Sequence, residues 1–594
     1  MQQLETTVLI VGAGPAGLTA ALALSTYGIA ATVLTRHRWL APTPRAHVTN
    51  QRTFELLRDL GVEADATALA TPYTLLPNAV FCTSLTGEEL GRFEILGTSA
   101  ARRGDYARAS PCTHADLAQD LLEPVLLRHA LLRGAHVRFD TDYLHCTQDA
   151  QGVTATVQDR LTGETYQIRA SYLLGADGGG SKIVPELGLP LVGQMNLSDS
   201  VNIVFEADLT AHVAHRPALL YFLVRTGLDA GGMGLGFLRP LQRWHRWQFT
   251  KGYLLGQRNE QLTHAEAAAL IRDYLGLPEL AVRITSIAPW VQNSIYATQY
   301  RQGRVFCMGD AVHRHSPSNG LGSNTSMQDA YNLAWKLALV LNNQAAPSLL
   351  DSYEAERVPI GQQVVERVDK SVAEYGPILD ALGLLAEDPA QGAANLAARK
   401  DATPAASAQR AALQQALAHK QNYEFQAHGV ELNQRYTSAA VVPDGVAPAA
   451  SPLDPELYYL PSTSPGARLP HAWVQQQNQA ISTLDLVGQG RFTVLTGIGG
   501  EAWVAAAASA AAHFGLPVAA HLIGTGCAIT DPYGTWAALR ETADSGCLLV
   551  RPDGHIGWRA QSAPTSAPAA AAALQQALSQ LLGRPSQQIQ AQDY

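Results

Sequence analysis

The chain has 594 residues, 47% hydrophobic and 16% charged, which reads as a compact soluble protein too long for one core. Its net charge of −9 argues against nonspecific nucleic-acid binding, which needs basic surfaces, but not against a local basic pocket for a phosphate-bearing ligand. Six scattered cysteines (Cys82, Cys112, Cys146, Cys307, Cys527, Cys547) form no CxxC pair; this speaks against a disulfide scaffold or zinc site and fits a reducing cytoplasm.

The N-terminal run VLIVGAGPAGLTAALAL is apolar, but glycines and a proline interrupt it and Glu5 precedes it. Neither a signal peptide nor a membrane helix is expected. TTVLIV (6–11) reads as a buried parallel strand, 14–27 as a helix and AATVLT (30–35) as a second strand. Gly12, Gly14 and Gly17 spell GxGxxG in the turn of this βαβ unit, with Pro15 and Ala16 between them. Such a turn brings backbone and a helix N-terminus against a pyrophosphate, so a dinucleotide is expected there. An acidic residue to grip a ribose hydroxyl is missing at the end of the second strand. Thr35 and Arg36 stand in its place, a hydroxyl for ribose and a cation for phosphate.

VTATVQ (153–158) and TYQIRA (165–170) alternate with period two around a TGE turn, and the strand YLLGADG follows to Asp177. Between 197 and 300 lie further alternating strands, among them VNIVFEAD and ALLYFLVR, and a helix opening at the capping box Thr263-x-x-Glu266. This predicts a mixed sheet inserted between two halves of a nucleotide-binding domain.

RVFCM (304–308) is another buried strand, and Gly309-Asp310 stands at its carboxyl end, where open α/β sheets bind ligands. Asp310 is placed to accept a bond from a nucleotide hydroxyl. The glycine-rich loop that follows opens the helix SNTSMQDAYNLAWKLALVL, whose positive N-terminus suits an anion such as a reduced flavin. Asp310, His313 and His315 also invite a metal reading. The two histidines alternate on an extended segment and so point to opposite faces; both are expected to be structural, bonded to backbone, and no metal site is expected.

Segment 385–469 starts with helix-forming composition and ends in the linker VVPDGVAPAASPLDP. From 470 onward, GRFTVLTG, an alanine-rich helix, VAAHLIG and GCLLVRPDGHIGWRA suggest a small α/β domain. The partition is 1–184 and 301–384 for the two parts of the nucleotide-binding domain, 185–300 mainly for the inserted sheet, 385–469 for the helical segment and linker, and 470–594 for the last domain.

Three segments together, GAGPAGL (12–18), GADGGGS (175–181) and GDAVHRHSPSNGLGSN (309–324), resemble the fingerprints of FAD-dependent aromatic hydroxylases. PRAHVTNQRTFELLRDLG (44–61) and ELNQRY (431–436) narrow the resemblance to single-component phenol hydroxylases, the group of the 2,4-dichlorophenol 6- and 2-hydroxybiphenyl 3-monooxygenases. It covers nearly the whole chain. It implies an α/β fold: a Rossmann-like FAD-binding domain, an inserted mixed β-sheet substrate domain and a C-terminal thioredoxin-like domain, here without CxxC.

The resemblance also implies site residues. Gly12, Gly14 and Gly17 match the ADP-binding turn, Arg45 an arginine near the flavin and its phosphates, and Gln119 and Asp310 residues of the ribityl chain. Asp177 matches an aspartate implicated in both FAD and pyridine-nucleotide binding. Pro317, Gly320, Gly322, Ser323 and Asn324 match the loop and helix start beside the flavin pyrimidine. Val184 stands where many relatives carry an arginine. FAD would be noncovalent, with NADPH or NADH as transient reductant and O2 as co-substrate.

The implied activity hydroxylates a substituted phenol, ortho to the existing hydroxyl, to give a catechol through a C4a-hydroperoxyflavin. A phenol of pKa about 10 is neutral at pH 7, so a base of pKa about 6.5 suits its activation. His47 is that candidate, and Asp116 would orient base or substrate. Tyr221 and Phe222 are expected to face the substrate. Expected partners are a small phenol and a second copy of the chain in a homodimer or higher homo-oligomer, with no nucleic acid and no membrane.

A disulfide reductase would need CxxC and a second fingerprint, and GGMGLGF (231–237) lacks the strand–turn–helix context. A halogenase would need a WxWxIP-type motif that WHRW (244–247) does not supply. An aromatic or polyketide-like substrate other than a phenol, or a flavoprotein serving mainly association, remain as alternative readings.

Overall fold

The computed structural model describes residues 3–226, 235–256, 262–386, 388–447 and 450–584. Residues 231–234 of the GGMGLGF run and the last ten residues of the C-terminal domain lie outside these. The βαβ unit is present as strand Gln3–Val11, helix Pro15–Thr26 and strand Ala31–Leu34. Gln3–Val11 pairs in parallel with Ala31–Leu34 on one side and Thr165–Gly175 on the other, and Val305–Cys307 continues the sheet. The predicted strands 165–170 and 172–177 are one strand, Thr165–Gly175. Its alternation fades over the second half because parallel neighbours now flank it and both faces are covered.

Among the described residues the inserted sheet has eight strands, in the order His313–Arg314, Arg283–Ala297, Leu191–Glu206, Arg246–Tyr253, Leu235–Gln242, Ala218–Val224, Asn78–Cys82, Glu89–Glu94. The last two come from the N-terminal part of the chain. Helix His264–Leu275 covers one face; its capping box at Thr263 and Glu266 is formed as read. Residues of Tyr375–Ala381 and Pro404–Phe425 cover the other.

Tyr221 and Phe222, expected together on the substrate side, take opposite faces of this sheet, because successive residues of a strand alternate. Tyr221 is fully buried against Trp247 and the helix His264–Leu275, its hydroxyl bonded to the Arg216 carbonyl at 2.9 Å. That residue is core. Phe222 looks the other way, stacked on Phe81 at 4.1 Å and edge-on to Phe237.

Near the C-terminus, strand Phe492–Thr496, helix Glu501–Phe514 and parallel strand Val518–Leu522 precede the antiparallel pair Cys547–Val550 and Ile556–Ala560 and helix Ala567–Leu581. This βαβ–ββα order is the thioredoxin-like topology. The domain shares one apolar core with the nucleotide-binding domain, where Trp335 meets Phe492 edge-on. A buried ionic knot locks the junction. Glu356 accepts from Arg551 (2.6 and 2.8 Å), Lys336 (2.8 Å) and Asn332 (2.7 Å), and Arg551 also bonds Asp553. Among the described residues, no helix is long and apolar enough to cross a membrane.

Candidate active site

The first fingerprint builds a phosphate cradle. Gly12 has φ +112°, and a Cβ there would lie 2.1 Å from the Ala176 carbonyl oxygen. At Gly17 a Cβ would strike the Gly12 carbonyl, so helix and turn can touch only through glycine. Gly14 faces open space instead, and no side chain caps the helix that starts there with Pro15 and buried Ala16. Free N–H groups beside open space fit a pyrophosphate.

Thr35 directly follows the second strand and is buried, its Oγ1 accepting from His37 N at 3.3 Å, while Arg36 and Arg45 are exposed. The His37 imidazole is held below its ordinary value first by burial and then by Arg36, Arg45 and Arg160. Three guanidiniums thus gather beside the second strand, a local basic patch on an acidic protein.

Asp310 is exposed in the turn Gly309–Ala311, at the carboxyl end of Val305–Cys307. Asp177 caps the next turn through Oδ2 (Lys182 N, 2.8 Å), while its buried Oδ1 has no partner among the described residues. Val184 is 1% exposed, so this position serves packing. The helix Gly322–Leu341 also starts without a side-chain cap, leaving its N–H groups for a ligand. Gly320 (φ +63°) and Asn324 join that start to the His47 segment. A Cβ at Gly320 would meet Val48 at 2.5 Å; Asn324 donates to the Val48 carbonyl (2.8 Å) and accepts from Asn50 N (3.1 Å). Pro317 opens the loop and Ser323 is half-buried in the first turn.

The histidines of the opening loop are occupied. His313 bonds the buried Asp329 carboxylate at 2.8 Å rather than backbone, a correction to the sequence reading; His315 Nδ1 bonds the Ser316 carbonyl at 2.6 Å. Asp329 also accepts from Gly309 N (3.0 Å) and Arg357 (2.7 Å). Burial pushes its carboxyl up, but Arg357 and His313 outweigh this and hold it low. Arg357 in turn bonds Gln434 and Tyr436 of ELNQRY, and Glu431 of that segment bonds His114 at 2.8 Å, two residues before Asp116.

His47 and Asp116 meet. His47 Nδ1 lies 2.6 Å from Asp116 Oδ2, with side chains 19% and 7% exposed. A small three-stranded sheet joins them: Ala115–Asp116 pairs antiparallel with Val48–Thr49 on one side and Thr71–Pro72 on the other. Gln119, the first residue of helix Gln119–Leu132, donates its N–H to the Ala46 carbonyl (2.8 Å), and Leu117 N donates to that of His47 (2.7 Å).

Sequence reading missed Arg239. It is 4% exposed on strand Leu235–Gln242, bonds the Pro44 carbonyl and Gln248, and keeps Nη1 without a partner among the described residues. Its one signal in the sequence is an arginine inside the apolar run GFLRPL. Burial first, then Arg239, lowers the His47 pKa from its ordinary 6.5, against the pull of Asp116. The guanidinium itself is pushed down to about 10 by burial, with Asp116 opposing. Burial thus favours the uncharged imidazole.

A dinucleotide cradle, an uncapped helix start and a histidine held by a carboxylate fit a flavoprotein of the doubly wound class. The FAD binding domain family matches residues 5–368, and the aromatic-ring hydroxylase C-terminal family matches residues 462–585. The chain is 49% identical to a 2,4-dichlorophenol 6-monooxygenase of Delftia acidovorans, covering 94% of this chain and 95% of that protein. It is 46% identical to a phenol 2-monooxygenase of Pseudomonas sp. (strain EST1001), covering 94% and 90%. The structure of the flavin-dependent monooxygenase PieE with FAD and substrate superposes with a TM-score of 0.93 at 43% identity, covering 98% of this chain and all of that one. The chain belongs to the FAD-dependent aromatic-ring hydroxylases.

Proposed function

We propose that the protein uses NADH or NADPH and O2 to hydroxylate a substituted phenol ortho to its hydroxyl, giving a catechol, in the cytoplasm. The observation that carries this reading is the His47–Asp116 hydrogen bond beside the buried Arg239. Bound FAD, once reduced, supplies the oxygen-activating chemistry. The carboxylate of Asp116 keeps the His47 proton on Nδ1, so Nε2 is the acceptor for the phenol proton. Removing that proton raises electron density at the ortho and para carbons, and Arg239 favours the anion that results. The aromatic face around Phe222 and Phe237 gives an apolar wall and excludes water. The six unpaired cysteines agree with a reducing compartment. Exposed Val192, Met195 and Leu197 on one strand offer a surface for a second copy of the chain.

The test is NAD(P)H consumption and product analysis with a panel of phenols and fused aromatics. Phenol-dependent oxidation with one catechol per NAD(P)H supports the reading; an FAD-replete protein that no phenol stimulates refutes it.

Two further outcomes follow from this reading. Asp310→Ala removes a hydrogen-bonding carboxylate from the ribityl position, and FAD should dissociate about tenfold more readily. Flavin binding to the apoprotein measures this, and an unchanged affinity would remove Asp310 from the site. The C-terminal domain should have no thiol role, because thiol redox needs two close cysteines. Cys547 is fully buried, and burial pushes its thiol far up. Cys527→Ser with Cys547→Ala should keep the parental turnover; a folded variant without turnover would contradict this.

A further inference from the structure

Tyr73 takes no part in the chemistry described so far. It is 2% exposed, and its hydroxyl is buried with no hydrogen-bond partner among the described residues. A buried hydroxyl left unbonded costs free energy, so such a group calls for a reason.

Topology brings Tyr73 to the site. It follows directly on Thr71–Pro72, which pairs with Ala115–Asp116 on the side opposite Val48–Thr49. This small sheet holds Asp116, with His47 directly before one neighbouring strand and Tyr73 directly after the other. The ring lies in the apolar cluster that holds Phe222 and Tyr375, with Val48 and Phe237 packed against it. Arg239, whose Nη1 is a second buried donor without a partner among the described residues, acts by its charge on both Tyr73 and His47.

We propose that Tyr73 is a substrate-binding residue, whose hydroxyl donates a hydrogen bond to the oxygen of the bound phenol while His47 takes that oxygen's proton. This rests on the phenol-hydroxylase reading above. Burial first, then the charges of Asp116 and Glu431, keeps the Tyr73 hydroxyl well above its ordinary pKa, and Arg239 opposes them only in part. The group keeps its proton and serves as a donor, not as a base. No bond to Tyr73 is made or broken: the phenol O–H bond breaks and its proton passes to His47 Nε2. Tyr73 and Arg239 would thus select for an aromatic ring bearing an oxygen.

Tyr73→Phe tests this, with 2,4-dichlorophenol and 2,4-dichlorotoluene as probes. Binding is read from the perturbation of the flavin absorption spectrum. The variant should bind the phenol about 10- to 100-fold more weakly, the effect of one hydrogen bond to a group that becomes charged, and bind the toluene as the parent does. KM should rise more than kcat falls, and the unfolding midpoint should be equal to or above the parental one. A structural hydroxyl would behave differently: losing it would lower the midpoint. Equal phenol binding by variant and parent, an equal loss for both probes, or a lowered midpoint overturns the assignment. A parent that binds no phenol at all overturns the functional reading, and this assignment with it.

Discussion

His47→Gln will retain FAD and oxidise NAD(P)H in the presence of a phenol, yet form about 10²–10⁴-fold less catechol, the range a general base contributes. Flavin reduction needs no base at this position, whereas oxygen transfer needs the phenol proton gone. Hydrogen peroxide should therefore account for most of the NAD(P)H consumed. The pH dependence has a definite sign. Burial and Arg239 lower the His47 pKa, so the neutral base persists below the ordinary 6.5. Parental coupling should hold through neutral pH and decline only as the pH drops under that value. In the variant, raising the pH toward the phenol's own pKa of about 10 should restore part of the catechol yield. Parental rate and coupling in His47→Gln at neutral pH would make His47 structural.

Glu356→Ala should destabilise the whole protein by about 3–5 kcal/mol, because it strips two buried cations of their shared partner. Lys336 and Arg551 are both fully buried, and both bond this carboxylate. Burial pushes Glu356 up, but Arg551 and Lys336 more than reverse this and bring it down to about 2. A carboxylate with a depressed folded pKa stabilises above its unfolded value, near 4.5, and loses that effect as the pH falls toward 2. Parent and variant should thus differ most above about pH 4.5 and converge below it. Urea unfolding at several pH values measures the difference. A midpoint that does not move at pH 7 would show that the knot adds no stability.

Much of the fold was legible because its signals are local. GxGxxG, the capping box at Thr263 and the period-two hairpin at 153–170 each lie within a few residues, and each formed as read. Neither periodicity nor spacing joined His47 to Asp116. They stand 69 residues apart in sequence and meet only across a two-residue strand pairing, so the resemblance alone suggested both. Arg239 and Tyr73 escaped for the same reason, since their significance lies in tertiary burial without partners. Alternation correctly gave strand Ala218–Val224 two faces, but nothing local distinguishes them, and Tyr221 packs into the core under helix His264–Leu275. His313 shows the same limit: its partner Asp329 lies on the following helix, so a backbone bond was the nearest guess.

The proposed base and the proposed pocket wall stand on different elements. Asp116 lies in the three-stranded sheet and His47 directly precedes its strand Val48–Thr49, whereas Phe222 and Phe237 belong to the eight-stranded one. Evolution can therefore revise the shape and breadth of the wall, residue by residue, while the reactive pair keeps its register. New substrate preferences are then reachable by single steps that each leave a working catalyst, which gives the scaffold room to diversify.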